Sequence, residues 1–348
     1  MSEIATYDEP WAADFLGDTG VLAVTERRGR LLLRSRGGER TIEVSDLPEV
    51  AYGGQGGLGD VVAGHGYDGV TNRRIYLSWA EAGPSGTGGA TSGGVVGSAD
   101  LLVAADGASA RLDGLRVIWR QEPKVTGQGH YSHRIAVSPD GRYLFVSSGE
   151  RQKMEPAQDL DNTLGTIVRL TPDGAPAPGN PFASRGGASA QIWSYGHRNV
   201  LGLAFDADGR LWATEMGPRG GDELNLIEKG ANYGWPTASN GSHYDGRDIP
   251  DHRAGDGFAA PKLWWNPSIS PGGLMIYSGS LFTWTGDALV PALSGSGLLR
   301  LPLAGTRAEK ADYWDLGFRV REVEQGPDGS IYLLQDGPDG RLLRLTPR

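Results

Sequence analysis

The stretch Gly127–Gly141, GQGHYSHRIAVSPDG, carries two histidines, His130 and His133, between a glycine-rich turn and a strand-like run. In HYSHRIAV, Ile135 and Val137 fall on one face of an extended segment and Arg134 and Ala136 on the other. His130 lies at the loop end, where an imidazole can point into a pocket; spacing alone does not choose between the two. A second group, His197-Arg198-Asn199, follows Trp-Ser-Tyr-Gly. Close behind comes EMGPRGGDELNLIEKGANYGWP, Glu215 to Pro236, where Gly217 and Pro218 occupy a turn whose carbonyls can face a hard cation. Asp222 and Glu223 add anionic oxygen there, and Tyr233 a further carbonyl. Such an all-oxygen set suits Ca²⁺ better than a transition metal; the plain alternative is a solvated acidic turn. Finally, DLGFRVREVEQGPDG alternates Arg319 and Arg321 on one face with Phe318 and Val320 on the other. Two such arginines form either surface ion pairs or, near a central funnel, a fork for a polycarboxylated ligand.

The elements that must position these residues read as short strands. Glycine numbers 55 and proline 21 in 348 residues, a density of turn formers that favours tight reversals over helices. Acidic residues outnumber basic ones, 42 to 33, and no basic run offsets the net charge of −9, which argues against nucleic acid as a partner. The absence of cysteine excludes disulfides, thiolate metal sites and a cysteine nucleophile. No apolar run reaches membrane-spanning length, and MSEIATYDEPWAADFL lacks the basic-then-apolar pattern of a signal peptide.

A turn containing Asp, Gly or Asn followed by an alternating run recurs at Gly17, Thr71, Pro139, Asp206 and Pro327. One turn residue from each gives positions 18, 72, 140, 208 and 328, spaced about sixty apart if one copy is missing near 268, where WWNPSISPGGLMIYSGSLF begins. This predicts an all-β fold: a six-bladed β-propeller with four antiparallel strands per blade, one domain over residues 1–348. The Gly- and Ser-rich stretch Ala82–Leu102 reads as holding an exposed loop.

In order, AYGGQGGLGD, GHYSHRIAVSPDG, SYGHRNVLGLAF, MGPRGGDELNLIEKGANYGWP and FRVREVEQGPDG resemble the soluble quinoprotein glucose dehydrogenase and aldose sugar dehydrogenase family over nearly the whole chain. The resemblance implies a propeller that binds pyrroloquinoline quinone (PQQ) and Ca²⁺ and oxidises the C1 hydroxyl of aldoses. It passes electrons to an external acceptor (quinone, dye or cytochrome), as a monomer or homodimer in the periplasm or outside the cell. By position, His130 matches the general base and Glu150 the residue that orients it. Gln55, Arg198, Asn199, Arg319 and Arg321 match positions that hold the quinone, and Gly217 and Pro218 the carbonyls on the cofactor's Ca²⁺. Glu223 and Tyr233 match a second, structural calcium site, with Asp222 and Tyr244 as further candidates.

Several positions depart from the resemblance. Glu150 stands where relatives carry Asp, Gly129 where they carry Asp, and Met216 where some carry Gln. No lysine appears in PALSGSGLLRL, and His133 replaces a small residue, which predicts a packing or rim role for it. His65 and His243 read as surface residues, and Trp264 or Trp265 as candidates to line a sugar pocket. Two rival functions stay open: a calcium-dependent sugar lactonase and a non-catalytic sugar- or ligand-binding propeller.

Overall fold

The computed structural model describes every residue except 39, 87, 88 and 348. The Asp-Gly turns do what their chemistry allows. In Asp140, Asp206 and Asp328 a side-chain oxygen accepts backbone N–H bonds two residues ahead, at Arg142, Asp208 and Ser330, which reverses the chain between two strands. Each such turn joins an innermost strand to its neighbour; four sheets have four antiparallel strands, and a larger one joins two further four-stranded units through the parallel pairing of Val44–Ser45 with Ala110–Arg111.

The innermost strands are Pro10–Phe15, Leu58–Ala63, Ser132–Val137, Val200–Phe205, Met275–Ile276 and Val320–Gln325. Each adjoins the next and the last adjoins the first, so these six strands close into a ring, the architecture of a β-propeller. The ring is fastened by Ser2–Tyr7, which pairs antiparallel with Gly340–Leu345 and completes the blade otherwise made of C-terminal strands. Apolar clusters fill the wedges between blades; Leu33, Leu58, Ile75, Leu77 and Trp79 fill the first.

One expectation is corrected and another narrowed. The missing repeat near 268 is displaced: the fifth blade's innermost strand is only Met275–Ile276, and Pro267–Gly273 lead into it rather than out of it. Ala82–Leu102 is mostly strand, forming much of a long hairpin, Arg74–Gly86 with Gly89–Val103, whose residues 94–99 are buried; the loop expected within it falls at the hairpin tip, where residues 87 and 88 lie outside the described residues. Its glycines permit close packing: a Cβ on Gly97 would lie 2.8 Å from the Trp79 ring.

Candidate active site

In five of the six innermost strands the pairing register slips near the N-terminal end: between Pro10 and Ala12, Leu58 and Val61, Ser132 and Ile135, Val200 and Gly202, and Val320 and Glu322. A bulge leaves a residue out of the ladder and re-aims its side chain. Trp11, His133, Leu201 and Arg321 lie in these slips, and all four face one cavity of about 410 Å³ at that end of the ring. Gln55, Asn199 and Arg319 line it too, as do Arg27 and Asp336.

His130 stands beside this cavity, buried to 6% exposure. Its backbone N–H donates to Gln55 Oε1 at 2.7 Å, tying it to a lining residue. Its Nδ1 meets Glu150 Oε1 in a short contact, and Glu150 Oε2 accepts the Met154 N–H at 2.6 Å. Burial, aided by the Arg198 charge, pulls the His130 pKa below its usual value despite the Glu150 carboxylate. Burial acts to raise Glu150, but the bonds from His130 and Met154 outweigh it and hold the carboxyl below its usual range. A neutral imidazole therefore donates Nδ1–H to an anionic carboxylate, and the ring makes no other hydrogen bond to a described residue, so Nε2 keeps its lone pair. That is the state a general base requires.

The loop that carries His130 and the segment that follows the blade's second strand are both strained. His130, Ser132, His133, Arg151, Gln152 and Met154 all have φ between +49° and +66°, where non-glycine residues are uncommon. Arg151 holds the loop in place: fully buried, it donates Nε to Gly129 O at 2.8 Å and Nη1 to Ser92 O at 2.6 Å, and lies 3.7 Å over the Tyr131 ring.

Arg319 and Arg321 do share a face, and one carboxylate pins both: Asp336 accepts from Arg319 Nε at 2.8 Å and from Arg321 Nε and Nη2 at 2.9 and 2.6 Å. The guanidiniums are thus oriented along the cavity wall, which suits a ligand bearing carboxylates. Arg198 is 5% exposed and its Nε has no partner, while Nη1 donates to Met216 O at 3.1 Å and Nη2 to the Tyr244 hydroxyl at 3.3 Å. An orphaned guanidinium N–H is what an acceptor on a bound group would satisfy.

A narrow cleft beyond Met216 gathers Gly217, Pro218, Glu223, Tyr233 and Arg198. Neither the Gly217 nor the Pro218 carbonyl accepts a hydrogen bond from any described residue, so both are free for a hard cation. Asp222 supports this turn instead of opening toward it: its oxygens accept N–H bonds from Gly217, Ile269 and Ser270 at 2.7–2.8 Å. Glu223 takes the Asn225 amide at 2.9 Å, and burial beside Glu215 pushes its pKa well up. Tyr244 is 73% exposed and belongs with Arg198, apart from Glu223. Trp264 and Trp265 pair with Glu223 and Asp222 in a sheet and do not line the large cavity.

Sequence reasoning missed Trp11, Arg27, Arg151, Glu215 and Asp336. Glu215 is central: its carboxylate accepts the Arg198 and Asn199 N–H groups and meets His197 Nδ1 at 2.9 Å. The signal was its place inside EMGP, directly ahead of the free carbonyls. On the ring axis lies a further cavity of about 240 Å³, where Asp14, Asp60, Glu322 and Glu324 surround Arg134. Arg134 Nη1 bonds Asp60 at 3.1 Å and Glu322 at 2.5 Å.

The family model of glucose / sorbosone dehydrogenases matches residues 7–344. The aldose sugar dehydrogenase YliI of Escherichia coli is 37% identical over 98% of this chain and 91% of its own. The crystal structure of the soluble aldose sugar dehydrogenase from Escherichia coli in its apo-form superposes with a TM-score of 0.90 at 36% identity, covering 100% and 99% of the two chains. The PQQ-bound aldose sugar dehydrogenase of Streptomyces coelicolor does so at 0.80 and 29%, over 99% and 96%.

Proposed function

The chain belongs to the glucose / sorbosone dehydrogenase family and is a sugar dehydrogenase, and we propose that it oxidises aldoses at C1 to lactones using PQQ and Ca²⁺, with His130 as the base. The observation that carries this is the His130–Glu150 pair: a neutral imidazole whose tautomer is set by an anionic carboxylate, on a residue whose neighbours Gln55 and Tyr131 line a cavity walled by arginines. Bound PQQ with its Ca²⁺ would supply an electrophilic quinone as hydride acceptor. His130 Nε2 takes the proton of the C1 hydroxyl, and Glu150 stabilises the imidazolium that results. Arg319 and Arg321, held by Asp336, grip the cofactor carboxylates; Arg198, Asn199 and Gln55 complete its polar surroundings. The Gly217 and Pro218 carbonyls hold the cation. Glu223 and the Tyr233 carbonyl serve a second, structural Ca²⁺, with Asp222 fixing the turn; Tyr244 acts on Arg198 instead. Electrons leave to an external acceptor, a quinone, dye or cytochrome, and the enzyme works as a monomer or homodimer in the periplasm or outside the cell. Among the described residues no helix is long and apolar enough to cross a membrane.

A lactonase would hold its metal with converging side chains, and no described group of three or more His, Cys, Asp or Glu residues is arranged to do so. A purely binding propeller would have no use for a strained loop that holds a buried base. Purified protein given PQQ and Ca²⁺ should reduce a dye with aldoses, and His130→Ala should abolish this. No PQQ binding and no dye reduction across an aldose panel refutes the proposal.

A further inference from the structure

The sequence marks His133 as a departure, and its surroundings show that the fold is built around it. The residue adopts φ +53°, a conformation easy for glycine and costly for histidine. Its ring occupies space that only a glycine opposite can provide: a Cβ on Gly59 would fall 1.9 Å from His133 Cε1. The ring stacks on Trp11 at 5.1 Å with an 18° interplanar angle.

Its protonation is fixed as firmly as its position. The Asp60 N–H donates to Ser78 Oγ at 2.8 Å, which leaves the hydroxyl proton for His133 Nδ1, also at 2.8 Å. Ser78 is fully buried and its hydroxyl has no other acceptor among the described residues. Nδ1 is therefore the acceptor and Nε2 carries the proton. Burial, with the Arg134 charge nearby, pushes the pKa down to about 3, so the ring stays neutral at working pH. Although the residue is only 2% exposed, it lines the 410 Å³ cavity, and among the described residues its ring has no hydrogen-bond partner but Ser78. Packing against Trp11 alone would be met by an apolar ring; the Ser78 relay matters only if the outward nitrogen must be a donor.

We propose that His133 Nε2–H is a fixed, uncharged hydrogen-bond donor in the cavity wall that binds an oxygen of the quinone cofactor, an inference that rests on the functional reading above. The contact adds orientation where Arg319 and Arg321 supply charge, because a neutral donor recognises a carbonyl as readily as a carboxylate.

The test is PQQ binding to the apoprotein with Ca²⁺ and without sugar, followed by tryptophan fluorescence and equilibrium dialysis. His133→Phe keeps the ring volume and the stack but removes both nitrogens. His133→Gly removes the ring and relaxes the left-handed backbone. Both variants should bind PQQ about 3- to 10-fold more weakly, as expected for one lost hydrogen bond, with circular dichroism showing them folded. Wild-type affinity in both overturns the proposal and leaves the functional reading standing. Weak binding in the Phe variant with wild-type binding in the Gly variant also overturns it, because bulk and not a donor would then be at issue. Failure of the wild-type protein itself to bind PQQ removes the functional reading and this inference together.

Discussion

Glu150→Gln replaces the carboxylate behind His130 with an amide of the same shape. The two oxygens of Glu150 accept from His130 Nδ1 and from the Met154 N–H, so the native site needs two acceptors there. An amide offers one acceptor and one donor. If its oxygen keeps the Met154 bond, its NH₂ faces Nδ1, the imidazole proton moves to Nε2, and the base is lost. If the amide turns round, the NH₂ opposes the Met154 N–H and leaves a buried donor unpaired, at about 1–3 kcal/mol. The first arrangement is cheaper and should prevail. Turnover should therefore fall by roughly 10²- to 10⁴-fold, the range ascribed to a positioned base, with modest loss of stability. A second signature concerns pH. Glu150 raises the His130 pKa while burial and Arg198 lower it. The wild-type acid limb, where activity appears as His130 loses its proton, should thus lie below the ordinary histidine value. In the Gln variant the residual activity should show a limb displaced further toward acid. Dye-coupled rates at saturating PQQ, Ca²⁺ and sugar from pH 4 to 9 would read both effects. Near-wild-type turnover with an unmoved limb would refute the assignment of Glu150, and of the His130 tautomer with it.

Three further outcomes follow from named contacts. Asp336→Asn weakens the anchor shared by Arg319 and Arg321 and should lower PQQ affinity by about 10- to 100-fold while kcat at saturating cofactor stays within about twofold, since a charged hydrogen bond is worth about 1.5–3 kcal/mol; a change in kcat alone would contradict it. Gly59→Ala should destabilise the protein by about 1–3 kcal/mol in urea by overpacking against His133, and much less in a His133→Gly background; an equal cost in both would place the clash elsewhere. On the ring axis, burial pushes Asp14 and Glu322 up to about 7, so the folded state holds protons that the unfolded chain has released. Their contribution to stability is present at low pH and is lost as pH rises from about 4 to about 7. Glu322→Gln should therefore gain stability relative to wild type between pH 4.5 and 7.5, read from urea midpoints; a relative loss would reverse the sign of the argument.

Much of the fold was legible because its turns have a local chemistry. An Asp that accepts the N–H two residues on, with a glycine in the same turn, reverses a chain wherever it occurs, and three of the repeat turns, at Asp140, Asp206 and Asp328, retain it. The fifth blade hid because its innermost strand has shrunk to Met275–Ile276, too short for an alternating pattern. Ala82–Leu102 misled for a different reason. Its Gly and Ser content matches that of a loop, yet Gly93, Gly94 and Gly97 are places where Lys124, His133 and Trp79 approach a strand backbone to within 2.9, 3.4 and 2.8 Å of where a Cβ would stand. Composition cannot separate a glycine that frees a chain from one that admits a neighbour.

The site was legible only in part, and the bulges explain the division. Residues in contiguous loop motifs, such as His130, Arg198-Asn199 and Gly217-Pro218, announce themselves by their sequence neighbours. Trp11 does not: period two groups it with Ala13 on one face, and only the slip between Pro10 and Ala12 turns it into the cavity. Asp336 and Arg151 lie just beyond second strands of their blades, outside any repeating pattern. Since slips occur in five of six innermost strands, and always at the same end, they are part of how the ring makes a site: a regular ladder would give those positions to the wedges between blades. His133 belongs to this set. Its anomaly in the sequence, a large polar residue where a small one is expected, becomes a position at which the backbone leaves the ladder and delivers a side chain to the ligand cavity.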